Sequence, residues 1–138
     1  MRFGLERRRK DVLSQGSIHV TIATKDLAGG RRWYEEKLGW VPIAEATGAL
    51  IYRVDGRLHL LYETEYAGTA QNTVAGMAVA DLRAETARLR ARGVTFEEYD
   101  FGPDGRTVGG ILTEGESDVN AWFTDSEGNI LALAEDPA

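Results

Sequence analysis

Two histidines, His19 and His59, are the only side chains of this 138-residue sequence that ordinarily titrate near neutrality. Cysteine is absent, which removes disulfides, thiolate metal sites, iron–sulfur clusters and a thiol nucleophile. Ser14, Ser17, Ser117 and Ser126 lack the sharp strand–helix turn that activates a serine. Lys25 and Lys37 flank a helical stretch, with no apolar pocket written around either. Glu35 and Glu36 occupy the polar face of that helix. What remains is an imidazole, His19, on an alternating strand, either hydrogen-bonded at the strand edge or binding and moving protons in a cavity. Beside it stand aromatics with polar handles, chiefly Tyr62 and Trp122, and candidate rim carboxylates Glu45, Glu97, Glu98 and Asp100, whose plainer role is solubility.

Charge narrows the partners. The first sixteen residues hold Arg2, Arg7, Arg8, Arg9 and Lys10 against Glu6 and Asp11, a surplus of +3, so the rest carries −9 of the net −6. An acidic body does not track phosphates, so nucleic acid is not an expected partner. The run Arg7–Lys10 reads as a solvated extension. No apolar run approaches the roughly 18 residues of a membrane helix, and no apolar core follows the N-terminal charges as in a secretory leader. The expectation is a cytoplasmic protein with no membrane partner. Residues 1–16 read as a basic extension and 17–136 as one domain.

The elements that must position these groups are written twice. Ile18 to Thr24, IHVTIAT, alternates like a strand and runs into Asp26-Leu27. Asp26 suits a helix N-cap, and Gly39 suits the left-handed stop after Leu38. Fifty-five residues later Val74 to Ala80 runs into Asp81-Leu82, with Gly93 as the matching stop. Trp40–Glu45, Leu50–Val54 and Arg57–Glu63 follow as strands, the last two joined by the hairpin signal Asp55-Gly56. Val94–Tyr99, Asn120–Thr124 and Asn129–Glu135 are their counterparts. The spacing therefore predicts an α+β fold of two tandem β-α-β-β-β modules, about 17–65 and 73–136, linked by Tyr66–Asn72. One helix covers one face of each sheet. The bare faces are expected to curl as a mixed sheet around a central cavity.

Period-two alternation divides each strand. Ile18, Val20 and Ile22 suit the helix side, leaving His19, Thr21 and Ala23 on the hollow side. The 55-residue offset assigns Val74, Gly76 and Ala78 to the hollow. Leu60 and Tyr62 share a face opposite to His59, and either Trp122 or Phe123 must point inward. The glycine-rich excursion Asp100–Val119 reads as a flap over the mouth, with a short strand at Thr107–Leu112.

This order of strand, Asp-Leu, helix and Leu-Gly-aromatic, closed by Asp-Ser-Glu-Gly-Asn-Ile-Leu-Ala-Leu, resembles the vicinal oxygen chelate superfamily. That group contains glyoxalase I, bleomycin-resistance proteins and extradiol dioxygenases. IHVTIATKDLAGGRRWYEEKLGW is similar to its first module. AWFTDSEGNILALAED is similar to its closing hairpin, usually written Asp-Pro-Asp-Gly-Asn. The resemblance implies a homodimer, and in the enzymes a divalent metal held from four places. These lie seven residues before each Asp-Leu and four after each turn glycine: His19, Val74, Leu60 and Ala132. Only His19 carries a lone pair to donate. No metal or other cofactor is therefore expected. The expected function is metal-independent binding of a small hydrophobic or aromatic molecule, an antibiotic or a metabolite. His19, Thr21, Leu60, Tyr62, Val74, Gly76, Trp122 and Ala132 would line the site. The alternative is a lyase, isomerase or dioxygenase-type enzyme with His19 as its tentative catalytic acid–base or a weak metal ligand.

Overall fold

A computed structural model describes residues 16–136; the basic run Arg7–Lys10 lies outside the described residues. In the first module β1 (Val20–Thr24) leads into α1 (Leu27–Trp33), which continues as a wider π-helical turn over Tyr34–Leu38. Then come β2 (Ala44–Ala46), β3 (Ala49–Val54) and β4 (Arg57–Glu63). The second module has β5 (Thr73–Val79), α2 (Leu82–Ala91), β6 (Thr107–Val108), β7 (Ile111–Glu114), β8 (Ser117–Thr124) and β9 (Ile130–Glu135). Each module carries its own mixed sheet, in the orders β1-β4-β3-β2 and β5-β9-β8-β7-β6. The opening strand runs parallel to the closing one in both, and the remaining pairs are antiparallel. This is the tandem α+β arrangement the sequence predicts.

The local signals act as their chemistry requires. Asp26 accepts from the Gly29 N–H and Asp81 from the Ala84 N–H, so each helix begins on a carboxylate cap. Gly39 closes the first helix at φ 73°, a conformation that costs any residue with a Cβ. Asp55 and Gly56, both at positive φ, form the tight turn between β3 and β4.

Three expected strands are corrected. Of Trp40–Glu45 only Ala44 and Glu45 are strand, as the start of β2. Pro42 has no N–H to give, and Trp40 leaves the ladder to stack on Tyr34 at 5.5 Å between ring centres. Residues 94–99 form no regular strand. Phe96 makes one bridge to Phe123, and the Glu97 N–H donates to Trp122 O at 2.8 Å. The reason is that β7 occupies the edge of β8 over Ile111–Glu114, leaving only its last residues to this segment. Within the excursion, Thr107–Leu112 is not one strand but parts of the β6–β7 hairpin, turned at Gly109-Gly110, which widens the sheet to five strands.

The core is a single cluster spanning both modules, from Ile22, Tyr34, Leu50 and Leu61 to Leu82, Phe123, Leu131 and Leu133. The modules meet on their helix sides. Trp33 of α1 stacks near Phe123 on the back of the second sheet, 6.4 Å between ring centres. Lys37 Nζ donates to Arg92 O at 2.6 Å, and Arg92 donates back to Lys37 O at 3.1 Å.

Candidate functional site

Strand register fixes which side chains share the open faces, because directly paired residues point the same way. On the first sheet Thr21 pairs with Leu60 and Ala23 with Tyr62. Ile51 and Ala49 join from β3. Leu60 and Tyr62 thus lie on the open side, and Tyr62 is 40% exposed. His59 is on the helix side, its ring 5.9 Å from that of Trp40. His19 sits just before β1, exposed at its lip, its ring making no hydrogen bond to any described residue.

On the second sheet Gly76 pairs with Ala132, and Ala78 with Ala134. Trp122 also pairs with Ala132, so Trp122 is the open-face member of its dipeptide while Phe123 is fully buried behind. Val74 is corrected. The β5–β9 register slips between Thr73 and Ala75, so Val74 is the extra residue of a bulge and does not continue the row of Gly76 and Ala78.

Beyond Thr73 and Ile130 at one end, the open-face side chains on β5 and β9 are small: Gly76, Ala78, Ala132 and Ala134. Beside them stands an aromatic wall. Tyr99 and Phe101 both approach Trp122 edge-on, at 5.4 and 5.6 Å between ring centres, and lie 5.7 Å from each other. With Ile130, Gln71, Asn72 and Thr73 these rings line a hollow of about 320 Å³. The excursion thus begins by laying Phe101 against the face that carries Trp122. Burial, with Glu97 nearby, pushes the Tyr99 phenol up, so it stays a neutral donor at neutral pH. Sequence reading missed Tyr99 and Phe101 as site residues; their i, i+2 spacing was the available signal.

Expected rim carboxylates are largely committed elsewhere. Glu45 pairs with Arg31 at 2.7 Å, Glu98 accepts from the Gly110 N–H, and Asp100 accepts from the Gly102 N–H.

The residues at the four positions where a superfamily metal would be held do not fit one. Three are hydrocarbon, and a divalent ion needs about three N or O donors from the protein. Among the described residues no three of His, Asp and Glu converge elsewhere.

The closing Asp-Ser-Glu-Gly-Asn run has a different task. Asp125 is 7% exposed and fully engaged. One oxygen accepts from the Glu127 and Asn129 N–H groups, the other from the Asn129 amide at 2.9 Å and the Tyr34 hydroxyl at 2.6 Å. Burial, the Asp125 charge and that hydrogen bond push the Tyr34 phenol far up. Asn129 also donates to Ala23 O and accepts from the Gly68 N–H. Glu127 receives the Thr24 hydroxyl and the N–H groups of Lys25 and Asp26. Gly68 is forced by proximity: a Cβ there would sit 2.0 Å from Glu127 O. The motif is thus a clamp between modules.

Repeated modules, a shared core and this clamp define a two-module fold in which each sheet has an open face. The model of the Glyoxalase/Bleomycin resistance protein/Dioxygenase superfamily matches residues 16–133, and the chain belongs to that superfamily. Its fold is similar to a glyoxalase/bleomycin resistance protein from Catenulispora acidiphila, at 21% identity, covering 88% of this chain and 98% of that one, TM-score 0.60. It is also similar to TnmS3, an antibiotic binding protein from Streptomyces sp. CB03234, at 21% identity over 85% and 92% of the two chains, TM-score 0.58. The genomically encoded fosfomycin resistance protein FosX from Listeria monocytogenes matches at 16% identity over 88% and 93%, TM-score 0.60. No curated protein matches in sequence. No helix of the described residues is long and apolar enough to cross a membrane.

Proposed function

We propose that this protein binds a flat aromatic molecule, of antibiotic or metabolite size, on the open face of the second sheet, and does so without a metal. The carrying observation is the aromatic wall of Tyr99, Phe101 and Trp122 beside a floor of Gly76, Ala78, Ala132 and Ala134. Side chains no larger than a methyl leave the sheet surface shallow, so a ring system can lie flat with its edge against Trp122. Aromatic contacts of this kind contribute roughly 0.5–1.5 kcal/mol each beyond burial. The antibiotic-binding neighbour supports the ligand class.

A second copy completes the site in this reading. The open face of the first sheet presents Leu58 and Tyr62, each 40% exposed. Strands β1 and β5 are both sheet edges. A homodimer laying one copy's first sheet over the other's second would cover both, in the cytoplasm as the residence. The acid–base reading of His19 gains less support, since no described residue hydrogen-bonds and orients the ring.

Calorimetric titration tests the proposal. A planar tricyclic quinone should bind chelator-treated protein, and Trp122→Ala should weaken it about thirtyfold, near 2 kcal/mol. Failure of any planar polycycle to bind, or binding that returns only with added divalent metal, would overturn it. Sedimentation equilibrium should give two chains per particle.

A further inference from the structure

The strands that carry the aromatic site on their front enclose a second hollow on their back. Met77 and Val79 of β5 and Leu133 of β9 alternate with Gly76, Ala78 and Ala132, so they face the helix side. With Trp40 of the first module they form the apolar floor of a cavity of about 290 Å³ between the modules. That volume is at the lower end of small-molecule pockets, roughly 300–1,000 Å³. Met77, Val79 and Trp40 are only half-buried, so the floor is not sealed into the core.

Its rim is cationic in an otherwise acidic chain. Lys37, Arg88 and Arg92 line it, against one carboxylate, Glu85, which is paired with Arg88. Two of the carbonyls at the helix ends, which would repel an anion, are met by the rim cations themselves: Lys37 donates to Arg92 O, and Arg92 to Lys37 O. Each bond uses one of three ammonium or five guanidinium N–H groups, leaving donors unspent. An apolar floor under surplus cationic donors is complementary to one ligand class, an acid with a compact hydrocarbon body.

We propose that this inter-module cavity binds a small apolar carboxylate, its acid group at Arg88, Arg92 and Lys37 and its hydrocarbon body on Trp40, Met77, Val79 and Leu133. This site is separate from the aromatic one and does not rest on it.

Octanoate and 1-octanol, titrated into the full chain at low ionic strength, test the assignment. Octanoate should bind saturably and one per chain, with octanol at least about tenfold weaker, and added salt should weaken octanoate. The pair Arg88→Gln with Arg92→Gln should cost about tenfold, and Val79→Phe should block the hollow. Glu85→Gln, which releases Arg88, should tighten octanoate several-fold, a gain that no misfolding produces. Trp122→Ala should leave octanoate unchanged. Absence of saturable binding, equal binding of octanol, indifference to Glu85→Gln, or loss in Trp122→Ala would each overturn the proposal.

Discussion

The junction between the modules and the open face of the second sheet are built on opposite terms. At the junction every oxygen of Asp125 is engaged, by Tyr34, Asn129 and two backbone N–H groups. On the open face β5 and β9 carry Gly76, Ala78, Ala132 and Ala134, with Thr73 and Ile130 at the end nearest the aromatic wall. The lesson is about where family likeness resides. The closing motif that marks the superfamily most visibly sits at the saturated junction and reports the scaffold. In the proposed function the ligand is decided on the face where the motif is silent.

The largest expected effect is at the junction. Asp125→Ala strands the Tyr34 hydroxyl, the Asn129 amide and two backbone donors, and should lower unfolding free energy by roughly 4 kcal/mol in urea titration. A loss under 1 kcal/mol would erase the contrast. Next, Gly76→Leu should leave stability within about 1 kcal/mol, because a Cβ there meets only Ala132 O, at 3.9 Å. Planar ligands should nevertheless be displaced from the floor. Tyr34→Phe removes one of four bonds to Asp125 and should cost roughly 1–2 kcal/mol by the same measurement.

The smallest effect is a pH dependence. Burial pulls the Glu127 carboxyl up, but the Thr24 hydroxyl, the Lys25 and Asp26 N–H groups and the Lys25 charge outweigh it, so the net shift is below the ordinary value of 4.5. A depressed folded value means stability that is full above about pH 4.5 and lost as pH falls through the folded value. Glu127→Gln should flatten the acid limb of stability against pH below that point. An unchanged acid limb would remove Glu127 from the clamp.

Much of this was legible because short-range chemistry fixes it. Asp26 and Asp81 are caps, Gly39 is a left-handed stop, and Asp55-Gly56 is a hairpin, each decided within a few residues. Alternation with the 55-residue offset also placed Gly76 on the open face, whereas Leu60 and Tyr62 were aimed there only by the family resemblance. Counting failed where the chain breaks period. The bulge at Val74 adds a residue that a fixed offset cannot anticipate. Residues 94–99 read as a strand by composition, yet β7 holds most of the edge they would have used. The aromatic wall was half legible: the i, i+2 spacing puts Tyr99 and Phe101 together, but they meet Trp122 across 21 to 23 residues of chain, a pairing that no local rule gives. Asp125 was read as part of a likeness, but its partner Tyr34 lies 91 residues away.

Alternation along β5 and β9 has a consequence for how such a protein changes over time. Under the proposed function a codon change at Gly76 or Ala132 edits what the open face will accept, while their neighbours Met77 and Leu133 keep the interior intact. Recognition can therefore be rewritten one substitution at a time, each step passing through a folded molecule.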